Sequence, residues 1–326
     1  MPQPADSVFS TPDSAHSAPF RFVDAHQHFW DPQRNYHPWL RDEPPIPFRY
    51  GDYSRLKRRY LPDDYRADAA RAGVAVAGSV YVETEWDPSD PIGETRYAAE
   101  LQRQYGLPTV VVAQAWLDRD DCAEVLEQQS GFELVRSIRH KPRANHSPAD
   151  ATPGGMTDTA WRDGFARLAR LGLRFDLQTP WWHLHEAAAL ADRFPSTRIV
   201  LNHTGLPADR SAAGLAGWGR AMQRLAACDN VVVKLSGLGQ ADPPGPRWQL
   251  AANREPVLRA IEWFGVERCL IASNFPVDGL CTDFATLLDG FRAIVAGFSA
   301  AEQRRLFEHN AVAVYAMALP GAGAPS

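Results

Sequence analysis

Residues 173–203 read "LRFDLQTPWWHLHEAAALADRFPSTRIVLNH", and they hold the unit from which the rest of the chain is built. The opening residues alternate. Arg174, Asp176 and Gln178 fall on one face of an extended segment, with Phe175 and Leu177 on the other. "HLHEAAALADRFP" then changes to a helical pattern, and Ile199, Val200 and Leu201 form a second apolar run that stops at His203. Strand, helix, strand, with a polar residue closing each strand, is the pattern of a parallel βα unit.

Outward from this stretch the same unit recurs. Candidate strands lie at 21–26, 76–83, 109–115, 134–139, 173–178, 197–203, 230–236 and 268–273. Between them run amphipathic segments such as "DDYRADAARAG", "ETRYAAELQRQYG", "WRDGFARLARLG", "LAGWGRAMQRLAAC" and "REPVLRAIEWFG". Eight alternating units predict a single-domain (β/α)8 TIM barrel over residues 21–318. No Gly-rich phosphate loop follows the first strand, which argues against a doubly wound sheet. Residues 1–20 and 319–326, rich in Pro, Ser and small residues, read as a flexible leader and tail. Two connections are long, from Trp30 to Pro62 after strand 1 and "KPRANHSPADATPGGMT" after strand 4. Loops that follow barrel strands lie on the catalytic face.

Composition narrows the partners. Net charge is −5, from 34 basic and 39 acidic residues, with no basic run, so a nucleic-acid partner is not expected. No stretch approaches the roughly 18–20 apolar residues that span a bilayer, and the N-terminus lacks the layout of a secretory signal. Cys122, Cys228, Cys269 and Cys281 have no metal-type spacing and read as buried free thiols of a cytoplasmic protein. A small-molecule substrate is the expected partner, with homo-oligomer formation left open.

Strand parity sorts the polar residues. Strict alternation in "FVDAHQH" places Phe22, Asp24, His26 and His28 on one face; in "VVVKLS", Val232, Lys234 and Ser236 oppose Val233 and Leu235. Barrel exteriors pack on helices, so the polar sets should point inward. Seven strands end in a polar residue: His28, Glu83, Arg139, Gln178, His203, Ser236 and Asn274. His26 and His28 suit either a divalent cation or a substrate carbonyl. Glu83, expected on the face of Ser79 and Tyr81, would complete a zinc or manganese site with His26, His28 and His203, or else stand as a structural carboxylate. Arg139, His140 and Lys141 gather positive charge for a carboxylate or an oxyanion. Gln178 suits sugar hydroxyls, and Trp30, Trp181 and Trp182 offer stacking faces. Lys234 is either a substrate-binding cation or the buried partner of Asp24 or Asp176.

Together, "VDAHQHFWDP", "SIRHKP", "DLQTP", "IVLNHTG", "VVVKLSGL" and "CLIASNFPVD" resemble the amidohydrolase-related family, closest to its sugar-lactonase and dicarboxylate-lactonase branch. The likeness runs from about residue 21 to 318, with the motifs in the family's order. It implies a (β/α)8 barrel with His26 and His28 on strand 1, His203 on strand 6 and a polar residue closing strand 8. It also implies lactone hydrolysis or, more distantly, nonoxidative decarboxylation, with both metal-dependent and metal-free catalysis represented. One departure stands out: the family's usual strand-8 ending is of the Ser-Asp-Trp-Pro type, whereas this chain reads "SNFPVD" with Asn274 in that place. An amide can hold a water but cannot take its proton, so Asp278 or Glu83 becomes the expected base. The expected activity is opening of a small cyclic ester, a sugar-derived lactone. His28 and His203, alone or through one divalent cation, would polarise the carbonyl, Arg139 would steady the oxyanion and Asn274 would position water. The alternatives are a metal-dependent decarboxylase on the same scaffold and a ligand-binding homologue that lacks the strand-8 Asp.

Overall fold

Val80, Val82, Val110, Val112 and Val232 point to one side of their strands, while Tyr81, Val111 and Val233 point to the other, and the two sets enter separate cores. Beta-branched residues on both faces favour strands buried on both sides, as a helix-wrapped parallel barrel requires. The computed structural model describes residues 19–241 and 244–319, and within them this barrel is complete. Its strands are β1 (Phe20–Gln27), β2 (Val74–Val82), β3 (Val110–Gln114), β4 (Val135–Arg139), β5 (Arg174–Leu177), β6 (Ile199–Leu201), β7 (Val231–Leu235) and β8 (Cys269–Ile271). All pair in parallel with their chain neighbours. The ring closes just beyond β8, where the Asn274 N–H donates to the His26 carbonyl and the His28 N–H to the Phe275 carbonyl, both at 2.8 Å.

The outer helices are α1 (Pro62–Arg71), α2 (Gly93–Tyr105), α3 (Cys122–Ser130), α4 (Thr159–Phe165), α5 (Leu184–Arg193), α6 (Ala212–Ala226), α7 (Leu250–Phe264) and α8 (Phe284–Ile294). Local signals set their ends. Ser211 and Asp283 cap α6 and α8 by accepting the N–H of Gly214 and Thr286, and Gly106 at φ 72° stops α2. The helix read through residue 172 stops at Phe165, and short turns carry the chain on to β5. Among the described residues no helix is long and apolar enough to cross a membrane. The four cysteines are free; Cys281 is half-buried and the others are buried.

Three features position the site. The lower end of the barrel is plugged by Ala311, Val314, Tyr315 and Met317 from the closing helical segment, which leaves the strand C-termini as its open mouth. Leu319, the first residue of the expected tail, packs on this plug; residues 320–326, and residues 1–18 of the expected leader, lie outside the described residues. The connection after β1 folds over its own barrel, where Trp30, Trp39, Tyr50, Tyr53, Leu56 and Val277 form a separate apolar cluster.

The third feature corrects the parity of β1. Its register with β2 shifts between Asp24 and Gln27, a bulge. Val23 and Ala25 face the barrel interior, Phe22 faces the helices, and Asp24 bonds to Tyr65 of α1 and to Ser273. Beyond the bulge His26 turns inward, so Phe22 and Asp24 do not share the face of the histidines. The bulge allows Ala25 to fill the core and His26 to reach the mouth.

Candidate active site

At the strand C-termini lies a cavity of about 240 Å³, lined by His28, Glu83, Arg139, Gln178, His203 and Asn274 from six strand ends. The loop after β1 adds Trp30, Trp39, Phe48 and Arg49, and Lys141 and Glu85 stand at the rim. A larger cleft of about 550 Å³ opens on the outer side of the same loop, but it contains none of these polar strand ends.

Three imidazoles meet at the bottom of the cavity. The His26 ring lies 4.9 Å from that of His28 and 4.6 Å from that of His203. His28 Nδ1 sits 2.7 Å from the Val82 carbonyl, which can only accept, so the proton is on Nδ1 and Nε2 carries the lone pair. Nε2 in turn faces Asn274 Oδ1 at 3.3 Å. The amide cannot turn its nitrogen there, because Nδ2 donates to Asp278 Oδ1 at 2.7 Å. Two acceptors therefore face each other at contact distance with no proton of their own between them. Burial, then the Arg139 charge, pushes His28 down to about 3, so the ring stays neutral. His26 and His203 are also held well below the usual histidine value, by burial first and then by Lys234 and Arg49 respectively. His203 Nδ1 lies 3.1 Å from the Ser236 hydroxyl.

Strained backbone accompanies these residues. His203, Thr204, Leu206 and Asn274 all have φ near +55°, a region that side-chain-bearing residues enter at a cost of about 1–3 kcal/mol each. Gly237, at φ +63°, is required where it stands: a Cβ there would come within 2.6 Å of the His203 ring.

The charged wall is mostly paired. Arg139 donates from Nε to Glu83 Oε1 at 2.5 Å, from Nη2 to the Glu83 carbonyl and from Nη1 to Gln178. Glu83 therefore lies in the mouth, apart from Tyr81, which faces outward and donates to Glu94; the chain leaves strand geometry at Val82, which frees Glu83 from the expected alternation. Lys141 pairs with Glu85. Arg49 stacks over Tyr50 and approaches Asp278 at 3.6 Å.

Several expected residues lie elsewhere. His140 Nδ1 accepts from the Leu117 N–H and the Trp161 indole, away from the cavity. Trp181 packs against Gly217 of α6. Lys234 lies beneath the histidines, fully buried and 2.6 Å from Asp176, which also accepts from Ser137, Asn202 and Tyr315. Asp278 stands one layer behind Asn274, its pKa raised by burial against the opposing pull of Arg49. Arg49, Trp39 and Phe48 were not anticipated; the aromatic and charged residues of their loop carry no period to betray which face they present.

The four-ligand metal set of His26, His28, Glu83 and His203 does not converge on one point. Glu83 is turned to Arg139, and His26 Nδ1 has the Lys234 ammonium at 3.5 Å. Among the described residues no group of three or more His, Cys, Asp or Glu side chains is placed to hold a metal ion.

Comparison with known proteins agrees with this architecture. The family model described as Amidohydrolase matches residues 23–317. An uncharacterized protein of Sinorhizobium fredii is 36% identical over 296 residues, covering 90% of this chain and 97% of its own. An L-fucono-1,5-lactonase of Burkholderia multivorans is 29% identical over 312 residues, covering 91% of this chain and 97% of its own. A solved amidohydrolase from Burkholderia multivorans with bound zinc superposes with a TM-score of 0.74 at 25% identity, covering 91% of this chain and 99% of that one. With a closed (β/α)8 barrel, histidines on β1 and after β6, and a family match across nearly all of the barrel, the chain belongs to the amidohydrolase family.

Proposed function

We propose that the protein is a hydrolase that opens a small cyclic ester, a sugar-derived lactone, with the attacking water held on the cavity side of His28 Nε2 and Asn274 Oδ1. The observation that carries this reading is the pair of facing acceptors, His28 Nε2 and Asn274 Oδ1, with the amide pinned by Asp278. A water on the cavity side of this pair can donate a proton to His28 Nε2, and its lone pair is then directed at the cavity. No carboxylate needs to line the cavity at this point. Asp278 acts through Asn274 as a positioning residue.

The remaining groups fit ester hydrolysis. As the water attacks the lactone carbon, its proton passes to His28 Nε2; the imidazolium that the resting site disfavours forms only as the negative charge develops on the lactone oxygen, and the Val82 carbonyl accepts from its Nδ1–H. The carbonyl oxygen becomes an oxyanion. Arg139 uses three of its five N–H groups on Glu83 and Gln178, which leaves two for that oxygen. With the Ser236 hydroxyl donating to Nδ1, His203 carries its own proton on Nε2 and offers a further donor. Collapse of the tetrahedral intermediate breaks the ring C–O bond, His28 returns the proton to the leaving alkoxide, and a hydroxy acid results. Because Glu83 is held by Arg139 and His26 Nδ1 faces the Lys234 ammonium, no step here runs through a metal.

The lactonase among the relatives supports the substrate class, and a 240 Å³ cavity, below the roughly 300–1,000 Å³ of drug-sized sites, suits a single ring. Trp30, Trp39 and Phe48 give that ring an apolar wall. The test is proton release from a panel of aldonolactones that includes L-fucono-1,5-lactone, with His28→Gln alongside. Ring opening is expected to persist after chelation and to fall by roughly 100-fold or more in the variant. Full activity in His28→Gln would remove this base, loss on chelation restored by one cation would make the histidines ligands, and carbon dioxide release without ring opening would point to a decarboxylase.

A further inference from the structure

The lower end of the barrel, opposite the reaction cavity, sets two like charges side by side. Arg174 opens β5, and Arg198 immediately precedes β6. Phe175 and Ile199 are in register, and the Phe175 N–H donates to the Arg198 carbonyl at 2.9 Å. The two arginines are therefore neighbours across the sheet, about 4.8 Å apart at the backbone and on the same face. Like charges so placed repel. A cavity of about 360 Å³ lies against both, lined also by Ser196, Asn310, Val314 and Glu267. Among the described residues neither arginine has a carboxylate partner. Arg174 Nη1 reaches only the Arg136 carbonyl, at 3.4 Å, and the Arg198 guanidinium has no hydrogen-bond partner. The nearby acids are taken. Glu267, the one acid lining the cavity, pairs with Arg305 at 2.6 Å, and Asp176 serves Lys234, Ser137, Asn202 and Tyr315 inside the barrel. Burial lowers the Arg174 pKa, and the Arg136 and Arg198 charges add to this against the pull of Tyr315 and Asp176.

We propose that Arg174 and Arg198, with the Ser196 hydroxyl, form an anion site at the lower end of the barrel that takes a phosphate group, as inorganic phosphate or as a phosphate monoester. A phosphate carries close to two negative charges and three or more acceptor oxygens, so it meets both guanidiniums at once, whereas a single carboxylate balances one. The site is independent of the lactone-opening reading. Val314 of the plug lines it, and the adjacent Tyr315 donates to Asp176 at 2.9 Å, so a bound phosphate would brace the plug against the strands.

Calorimetric titration of the full-length protein at about pH 8, where phosphate is doubly charged, tests the site with inorganic phosphate and with glycerol 3-phosphate. Saturable binding is expected, weakened by about tenfold or more in Arg174→Gln and in Arg198→Gln, the size of one lost charge-assisted hydrogen bond. Acetate at equal ionic strength should bind more weakly. Tighter binding of the ester would identify an organic phosphate as the ligand, and equal binding inorganic phosphate; either supports the site. Phosphate bound equally by wild type and both variants would place it elsewhere, in the reaction cavity, and overturn the proposal, as would no saturable binding at all. A second measurement reads the charge conflict directly. Arg198→Glu sets a carboxylate beside Arg174, so its thermal midpoint in phosphate-free buffer should exceed that of the wild type. Phosphate at about ten times its Kd should raise the wild-type midpoint by about 2 °C and leave this variant unmoved. A midpoint that fails to rise in Arg198→Glu would show that the two arginines are not in conflict. A wild-type rise matched by sodium chloride at equal ionic strength would reduce the effect to screening; either result removes the site.

Discussion

Asp278 does not reach the cavity, yet it decides which way the Asn274 amide faces. A helical turn over Val277–Leu280 returns the chain so that the Asp278 N–H meets the Asn274 carbonyl at 3.0 Å and the carboxylate receives Nδ2. A carboxylate can only accept, so it fixes the amide orientation; an amide at 278 would permit either. Asp278→Asn is therefore expected to lower kcat by about tenfold, the scale of a charge-assisted hydrogen bond at roughly 1.5–3 kcal/mol, with KM changed much less. Steady-state kinetics on a folded variant reads this split, and an unchanged kcat would mean that other contacts set the amide. At this scale the sequence was informative about identity and less so about role. His28, His203, Arg139 and Asn274 were legible because each closes an apolar run. Asp278 was legible as a nearby acid, but not its place behind Asn274, which depends on a turn whose geometry no apolar pattern records.

Between residues and the whole barrel, alternation explains both what could be read and what could not. The eight strands were readable because β-branched residues on two faces leave a period of two or a continuous apolar run. The bulge in β1 was not, since one extra residue between Asp24 and Gln27 breaks the period without changing composition. The loop after β1 was recognised by its length alone. It is held by Trp39, whose indole donates to the Thr84 carbonyl at 2.8 Å and stacks on Phe48, with the Tyr53 hydroxyl donating to the Trp39 carbonyl. These residues form a cluster distinct from the two barrel cores. Trp39→Ala should cost about 3–5 kcal/mol of loop packing while leaving the barrel folded. Limited proteolysis is expected to cut at the exposed stretch 41–47 at least 100-fold faster than in wild type, with a much smaller change in the thermal transition of the barrel. Cleavage spread through the barrel, or a cooperative fall in its transition, would show instead that the loop and barrel unfold as one unit.

For the molecule as a whole, the same burial that shapes the site makes stability depend on pH. His26, His28, His37 and His203 are buried and neutral, with pKa values pushed below 6.5, to about 3 for His28 and about 4 for His37. Unfolding returns them to water, where each takes a proton below pH 6.5. As pH falls from 6.5 toward the folded values, the unfolded chain binds more protons at these positions and stability is lost. Asp24 and Glu94 act in the opposite sense: burial raises them to about 6 and about 7, so the folded protein keeps protons that the unfolded chain releases, and acid favours folding through them. Asp278 is shifted the same way. The opposing sets make the overall slope a difference, so a single group gives the cleaner test. His37 is suited to it: it lies within the loop after β1, contacts Thr84 and Trp86, and does not line the reaction cavity. His37→Gln keeps a polar partner for Thr84 but cannot titrate. Between about pH 6.5 and 4 the wild type should lose about 1.4 kcal/mol per pH unit relative to this variant, or roughly 3 kcal/mol across the window. Urea unfolding at a series of pH values measures the difference. A constant difference across the window would mean that His37 takes its proton in the folded state as readily as in water, and burial would then not be what holds that ring neutral.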